Sequence, residues 1–302
     1  MSEEKITIKQ KRNQAIEMLR IFAAFEIVSY HSMAPFHNLT YSGLIVFLIL
    51  SPLMDTRYNW GRRRNIGKLS LQFLLPWFFW ILIYGVKNIV THKTFFPSEN
   101  IAEGLLYGTS PHLWFLPFMF ITLAFLNLLK PYFSPIWLFW ICVICAALIM
   151  ATVSVWRLPS LSWSLPFPQW MHAAAPTLIG IALGLIGRIG KTAWLASATI
   201  FCALFVALSA NLPGIGIPYA TGIILTTIIT SLPVKWIPRY WNVQPIADCM
   251  MGVYLTHILS LYVWGKFTGN GNYLTVFLAF TFSLLAVWLC RKLVPTSRFV
   301  LG

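Results

Sequence analysis

Residues 15–32 read AIEMLRIFAAFEIVSYHS and decide the fold. The segment is long enough to cross a bilayer as a helix, which takes about 20 predominantly apolar residues. It nevertheless carries Glu17, Arg20, Glu26 and His31. Ionisable groups are costly inside a bilayer, and where they occur they usually face a polar interior or a substrate pathway. The segment therefore predicts a membrane helix with a functional face.

The composition of the whole chain agrees with a membrane location. Of the 302 residues, 58% are apolar and 10% are charged, and the mean hydropathy is +0.72. Ordinary soluble domains carry about 25% charged residues, so these charges are too few to cover a soluble surface. The net charge of +14 does not indicate nucleic-acid binding, because the basic residues separate apolar runs instead of clustering on one face. We predict an integral membrane protein with no nucleic-acid partner.

Ten apolar segments follow one another along the chain. Their predicted limits are residues 15–34, 39–55, 69–90, 112–129, 134–155, 170–187, 192–210, 215–232, 246–265 and 273–291. With the N-terminus in the cytoplasm, seventeen of the 22 Lys and Arg residues fall on the cytoplasmic side and four on the outer side. Cytoplasmic loops are enriched in Lys and Arg, so this bias predicts cytoplasmic tails at 1–14 and 292–302. We predict an all-α fold, a single domain over 1–302 with about ten transmembrane helices.

Two predicted outer loops, residues 91–111 and 156–169, are rich in Pro, Ser and aromatic residues. Such aromatic side chains usually anchor a protein at the membrane interface, and they can also stack on sugar rings. The basic residues predicted on the outer side are Lys87, Lys93, Arg157 and Lys266.

The polar residues of the first segment share a helical face. Arg20 and His31 are eleven positions apart, which places them within about 20° of each other and about 16.5 Å apart along a helix axis. Glu17 lies on the same stripe, whereas Glu26 is about 140° from His31 and belongs to another face. An alternative without chemistry stays open, in which Glu17 and Arg20 pair at the membrane edge and His31 reaches the interface.

Two further histidines lie in apolar segments beside aromatic residues. His112 opens the fourth segment near Trp114, and His257 lies in the ninth segment, one turn after Tyr254. Membrane histidines often only hydrogen-bond neighbouring helices, so a structural role stays open for both. No acidic or cysteine residue stands at ligand spacing from them, and we predict no metal. The histidines without such a context are His37, His92 and His172.

Four motifs occur in order along the chain. The first is Arg20 and His31 with ten residues between them, and the second is SGLIVFLILSPLM (42–54). The third and fourth are PHLWFLPFMF (111–120) and GVYLTHILSLY (252–262). In this order they resemble the signature segments of the acyltransferase-3 family of membrane acyltransferases, and the resemblance covers essentially the whole chain.

This resemblance implies an enzyme that transfers an acyl group, typically acetyl from acetyl-CoA, to a sugar hydroxyl of a surface polysaccharide. An alcohol is a poor nucleophile until it loses its proton, and histidine, with an unperturbed pKa near 6.5, is the usual base. We therefore expect His31 to be the general base, although an acyl-histidine intermediate stays open. The other expected catalytic residues are Arg20, Glu17 and His112. The expected substrate contacts are Trp114, Tyr254 and His257.

Coenzyme A carries phosphates, which require a cationic site. Arginine offers these phosphates a bidentate geometry. The residues expected to form the site are Arg20, Arg62, Arg63, Arg64 and Lys68. The positive-inside pattern alone would also explain this cluster.

The chain departs from the family pattern at three places. Glu17 stands where the family usually has Asp, and Ser51-Pro52 stands where it usually has Ser-Gly. The basic pair that the family places before the proline of the third span is replaced by Leu69 and Gln72. This last departure bears on how the donor is bound.

We therefore expect a multi-pass O-acyltransferase of the bacterial inner membrane, with acyl-CoA as the donor and a glycan or lipid-linked saccharide as the acceptor. The alternative is a transporter or flippase for a lipid-linked sugar, which would share the topology but would need no general base. No internal repeat is visible, which disfavours an inverted-repeat transporter. A purely structural membrane subunit would not explain Arg20 and His31.

Overall fold

The computed structural model describes residues 13–92, 94–97, 100–190, 193–231 and 241–302. Several sequence predictions fall outside these residues, namely those on most of the N-terminal tail, on the basic residues Lys5, Lys9, Lys11, Arg12, Lys93, Lys191, Lys235 and Arg239, and on the side chain of His92. The described ranges contain no β-strand, only an isolated bridge between Leu212 and Ile215. The all-α prediction is therefore confirmed for the described part of the chain.

Fourteen α-helices occupy the described ranges. They are α1 (Gln14–Ser32), α2 (Ser42–Tyr58), α3 (Ile66–His92), α4 (Ile101–Tyr107), α5 (Phe115–Leu129), α6 (Pro135–Ala151), α7 (Val153–Ser160), α8 (Phe167–Leu185), α9 (Ala193–Ser209), α10 (Ile217–Ser231), α11 (Gln244–Ala247), α12 (Met250–Thr268), α13 (Tyr273–Leu293) and α14 (Arg298–Leu301). Ten of them have 15 residues or more, and these correspond in order to the ten predicted segments.

Apolar helices of membrane-spanning length are present. Within the described residues, four stretches are long and apolar enough to cross a bilayer, namely Leu39–Tyr58, Ile66–Thr91, Phe167–Arg188 and Tyr273–Leu293. The bent pair α6 and α7 makes a fifth if it is taken as one span, and α5, α9 and α10 are apolar but shorter. Ten crossings and the cytoplasmic position of the termini stay predictions.

The fifth predicted segment, 134–155, is not one continuous helix. Helices α6 and α7 meet at an angle of 71° around Thr152. The Thr152 hydroxyl donates a hydrogen bond to the carbonyl of Leu148 at 2.7 Å, a local bond that competes with the helix ladder and favours a bend. The predicted outer loop 156–169 is accordingly largely helical, because α7 extends to Ser160 and α8 begins at Phe167.

The segment predicted as a C-terminal tail, 292–302, is folded against the bundle. Trp80 of α3 donates its indole N–H to the carbonyl of Val300 at 2.9 Å, and Leu301 is buried. Apolar side chains on α14 fix this position, which a count of charged residues does not anticipate.

Helix α2 lies at the centre of the bundle, packed against α1, α8 and α10. Its approach to α8 depends on Gly180 and Gly184. A Cβ atom at Gly180 would lie 2.3 Å from the carbonyl oxygen of Ile49, and one at Gly184 would lie 2.6 Å from that of Leu53. Small residues at a four-residue spacing allow membrane helices to approach closely. This tight packing fixes α2 against α8, and α2 in turn packs against α1.

Candidate active site

Helix α1 reaches a cavity near each end. The histidine cavity, of about 270 Å³, is lined by residues that include Tyr30, His31, Tyr41, His112, Arg157 and Tyr254. The arginine cavity, of about 600 Å³, is lined by residues that include Glu17, Arg20, Asp55, Arg64, Asp248 and Arg291. The shared face predicted for Arg20 and His31 therefore opens into a different cavity at each end of the helix.

Three histidines from separate parts of the chain meet beside the histidine cavity. The ring centroid of His31 lies 5.1 Å from that of His257 and 6.3 Å from that of His112. The rings of His112 and His257 lie 5.0 Å apart. Helix α1, the turn before α5, and α12 each supply one ring. We call His31, His112 and His257 the histidine cluster.

Hydrogen bonds fix two members of the cluster. The Nδ1 atom of His257 lies 2.6 Å from the carbonyl of Tyr254, and that of His112 lies 3.1 Å from the hydroxyl of Ser110. The Tyr254 hydroxyl donates to the backbone carbonyl of His112, which joins α12 to the turn before α5. A carbonyl can only accept, so neutral His257 donates from Nδ1 and keeps a lone pair on Nε2.

The Nε2 atoms of His112 and His257 are buried, and neither has a hydrogen-bond partner among the described residues. Buried polar atoms in folded proteins are nearly always bonded, so such exceptions call for an explanation. His31 is half-buried and lines the cavity. Histidine nitrogens without partners, next to a cavity, are suited to accepting or donating a proton during a reaction.

No group of three or more His, Cys, Asp or Glu side chains in the described ranges is arranged to hold a metal ion. The absence of a metal stays a prediction. The remaining predicted substrate contacts, Trp114 and Tyr254, both line the histidine cavity and are buried.

An aromatic layer lies between the two cavities. Phe47 and Phe115 line the arginine cavity, and Tyr254 lines the histidine cavity. The ring of Tyr254 lies 6.4 Å from that of Phe47 and 5.5 Å from that of Phe115. These three rings, which we call the aromatic layer, are packed where the walls of the two cavities come together.

Two acidic side chains of the arginine cavity, Glu17 and Asp55, form ion pairs. Arg20 donates to Glu17 at 2.7 Å, a pairing that the sequence suggested only under the alternative without chemistry. Asp55 binds two cations, Arg64 at 3.2 Å and Lys130 at 2.5 Å. The side chains of Asp55 and Lys130 are almost fully buried, so this pair stands in the interior of the helix bundle.

The predicted donor-binding cluster separates in the structure. Arg64 lines the arginine cavity and also donates to Gln72 at 2.8 Å. Arg64, which precedes α3, thus places its guanidinium group beside Gln72, one of the two positions at which the family usually has a basic residue. Arg62, Arg63 and Lys68 are exposed and are not part of the cavity wall.

Sequence reasoning missed several residues of both walls. Asp55 and Arg291 line the arginine cavity, and Lys130 lies behind its wall as the partner of Asp55, but none of the three is a predicted site residue. Arg157 was predicted only as a basic residue of the outer side. His172, for which the sequence offers no context, lines the histidine cavity, and its Nε2 atom donates a hydrogen bond to the carbonyl of Gly214 at 2.8 Å. The sequence carries no local signal for these residues, because their partners are distant along the chain.

A sequence model of the acyltransferase-3 family, described as an acyltransferase domain, matches residues 13–292. No curated protein and no solved structure gives a match to the chain. The matched range includes every residue of the histidine cluster, the aromatic layer and the Asp55 ion pairs.

Proposed function

We propose that this chain, which belongs to the acyltransferase-3 family, transfers an acetyl group from acetyl-CoA to a hydroxyl of an exported or lipid-linked glycan in the bacterial inner membrane. The observation that carries the proposal is the pair of cavities at the two ends of α1. One is lined by three arginines, and the other adjoins three histidines. An acyl transfer that begins with a phosphorylated donor and ends with an alcohol needs both.

The arginine cavity is the proposed donor site. Arg20, Arg64 and Arg291 present guanidinium groups there, and guanidinium groups bind phosphates through bidentate, charge-assisted hydrogen bonds. Seventeen of the 22 basic residues fall on the predicted cytoplasmic side, which is where acetyl-CoA is available. The phosphates of coenzyme A would stay in this cavity while the thioester reaches toward the histidines.

The thioester has to pass the aromatic layer. Arg20 and His31 are separated by about 16.5 Å along the axis of α1, and the arm of coenzyme A between its phosphates and its sulfur is long and flexible. Small rotations of Phe47, Phe115 or Tyr254 would open a passage at the point where the two cavity walls meet.

The histidine cavity is the proposed acceptor and reaction site. His31 removes the proton of the acceptor hydroxyl as its oxygen attacks the thioester carbonyl carbon. The tetrahedral intermediate then collapses, the C–S bond breaks, and the proton on His31 passes to the departing thiolate of coenzyme A. His257, whose ring centroid lies 5.1 Å from that of His31, acts as a positioning residue that packs against the His31 ring.

The proposal is tested by supplying labelled acetyl-CoA to membrane vesicles that contain the protein and a glycan acceptor. Label in the glycan, confirmed by mass spectrometry of the host's surface glycan with and without the protein, is the expected result. Movement of a lipid-linked sugar across the membrane without any acetyl transfer would contradict the proposal and support a flippase.

A further inference from the structure

Arg157 is a buried cation in the wall of the histidine cavity. It lies on α7 and is 8% exposed. Its Nε atom donates to the carbonyl of Pro213 at 2.6 Å. In the described part of the chain no ion pair includes Arg157, and no other hydrogen bond from its guanidinium group is present. The two terminal nitrogens therefore keep N–H groups that donate to no described residue.

The surroundings of Arg157 offer no counter-charge. No Asp or Glu is part of the described wall of the histidine cavity. Near Arg157 the protein places neutral groups, such as His172, whose ring lies 5.5 Å from that of Tyr41 and 5.0 Å from that of Tyr219. A buried charge without a partner is unfavourable. Burial of Arg157 therefore destabilises the folded protein, and an anionic ligand beside it would reduce this destabilisation.

The backbone is shaped to admit this guanidinium group. Gly214 has φ +78°, and a Cβ atom at this position would lie 2.8 Å from a terminal nitrogen of Arg157. A side chain at 214 would be strained by the left-handed conformation and would also press on the cation. The turn between α9 and α10 thus holds Arg157 in place through Pro213 and leaves room for it at Gly214.

A second polar group without a partner lines the same cavity. The side-chain oxygen of Gln169 is buried and has no hydrogen bond with any described residue. Arg157 and Gln169 lie at opposite ends of the segment 156–169, which the sequence singles out for its Pro, Ser and aromatic residues. The bend of 71° between α6 and α7 turns this segment over the cavity that His31 lines.

We propose that Arg157 binds a negatively charged group of the acceptor, a carboxylate or a phosphate, and so selects acidic acceptors over neutral ones. This inference rests on the proposed function, because it treats the histidine cavity as the acceptor site. A guanidinium group binds either anion through two parallel N–H···O bonds. A cavity of about 270 Å³ is close to the smallest ligand sites, at about 300 Å³, and suits a single acidic unit.

The acceptor can carry its negative charge in two places, and three probes distinguish between them. One source is a uronate carboxylate on the acceptor sugar itself, and the other is the phosphate that joins a glycan to its lipid. The probes are a glucuronate oligosaccharide, a glucose oligosaccharide of the same length and linkage, and glucose on a polyprenyl diphosphate. Binding of each to the purified protein in nanodiscs is measured without any donor, and acetyl transfer is measured separately.

The wild type should bind one of the acidic probes about 10- to 150-fold more tightly than the neutral one, the range for a charge-assisted hydrogen bond. In Arg157→Gln the ratio should fall to near one, and in Arg157→Lys it should fall partly. Lys266→Gln removes a basic residue that is also predicted on the outer side but is exposed and outside the cavity wall, and it should keep the wild-type ratio.

The proposal would be overturned by equal binding of acidic and neutral probes to the wild type, a result that depends on no variant. It would also be overturned if Arg157→Gln weakened all probes equally, as loss of a merely structural residue would. Charge-selective binding without any acetyl transfer would refute the enzyme and keep the Arg157 site. Transfer to acidic and neutral probes with equal efficiency would keep the enzyme and refute this inference.

Discussion

The two cavities at the ends of α1 hold their charged and titratable groups in opposite ways. In the arginine cavity, Glu17 pairs with Arg20, and Asp55 pairs with both Arg64 and Lys130. In the histidine cavity, Arg157 has no acidic partner among the described residues. The Nε2 atoms of His112 and His257 likewise have no partner there.

This difference indicates which cavity is built for binding and which for chemistry. Paired arginines are fixed in position before a ligand arrives, and they keep further donors for the phosphates of that ligand. Groups without partners cost stability, and strain of this kind is expected where a protein handles protons or ions during function.

The largest effect is expected at His31. Replacing a general base costs about 10²- to 10⁴-fold in rate, so His31→Gln should nearly abolish acetyl transfer while acetyl-CoA binding stays close to normal. Gln keeps a hydrogen bond but takes no proton. His37→Gln, which changes a histidine outside the cavity wall, is the matched control. Near-normal transfer by His31→Gln, normalised to protein abundance, would contradict this role of His31 and assign the general base to His112 or His257.

The next effect concerns stability in the arginine cavity. Asp55→Ala leaves Lys130 buried without its counter-charge, which typically costs about 3–5 kcal/mol. The free energy of unfolding, measured by denaturant titration in micelles, should fall by this amount. The double variant Asp55→Leu, Lys130→Met removes both charges and should recover most of the loss. A single variant as stable as the wild type would show that the ion pair contributes little.

A smaller effect is expected on donor affinity. Arg20→Ala should weaken acetyl-CoA binding by about 10- to 150-fold, because a hydrogen bond to a charged group contributes about 1.5–3 kcal/mol. Arg20→Lys should recover part of the affinity, since Lys lacks the planar fork. Arg62→Ala alters an exposed side chain outside the wall and should weaken binding less. Calorimetry on correctly folded protein would contradict the donor site if Arg20→Ala bound normally.

The smallest effect is expected on the stability of an Arg157 variant. Arg157→Met breaks no described ion pair and loses one hydrogen bond from a charged donor, to the carbonyl of Pro213, worth about 1.5–3 kcal/mol. Removal of a buried charge without a counter-charge offsets much of this loss. Its free energy of unfolding should therefore lie close to that of the wild type and well above that of Asp55→Ala. A loss as large as that of Asp55→Ala would mean that Arg157 has an essential structural partner and would remove the contrast between the cavities.

The sequence was informative wherever a pattern lies within one helix. The ten apolar segments correspond to ten helices, and the common face of Arg20 and His31 stays a prediction from their spacing. The bend at Thr152 was not predicted, because α6 and α7 form one apolar run whose length alone favours a single span. The docking of α14 was not predicted either, because its partner Trp80 lies in α3, far away along the chain.

The site was less predictable, because it is made by contacts between distant parts of the chain. The motifs named His112 and His257, but only the packing of α12 against the turn before α5 brings them to His31. Arg157 and Lys130 look like loop charges in the sequence. Their burial follows from a helix bend in one case and from the carboxylate of Asp55 in the other.

We propose that the donor binds at one end of α1 and the acceptor reacts at the other, on opposite sides of the membrane. The most direct test uses sealed vesicles that enclose the acceptor, with labelled acetyl-CoA added outside. Inverted vesicles expose the cytoplasmic side, and they should acetylate the enclosed glycan, whereas right-side-out vesicles should not. Labelling only when donor and acceptor are on the same side of the membrane would contradict the account.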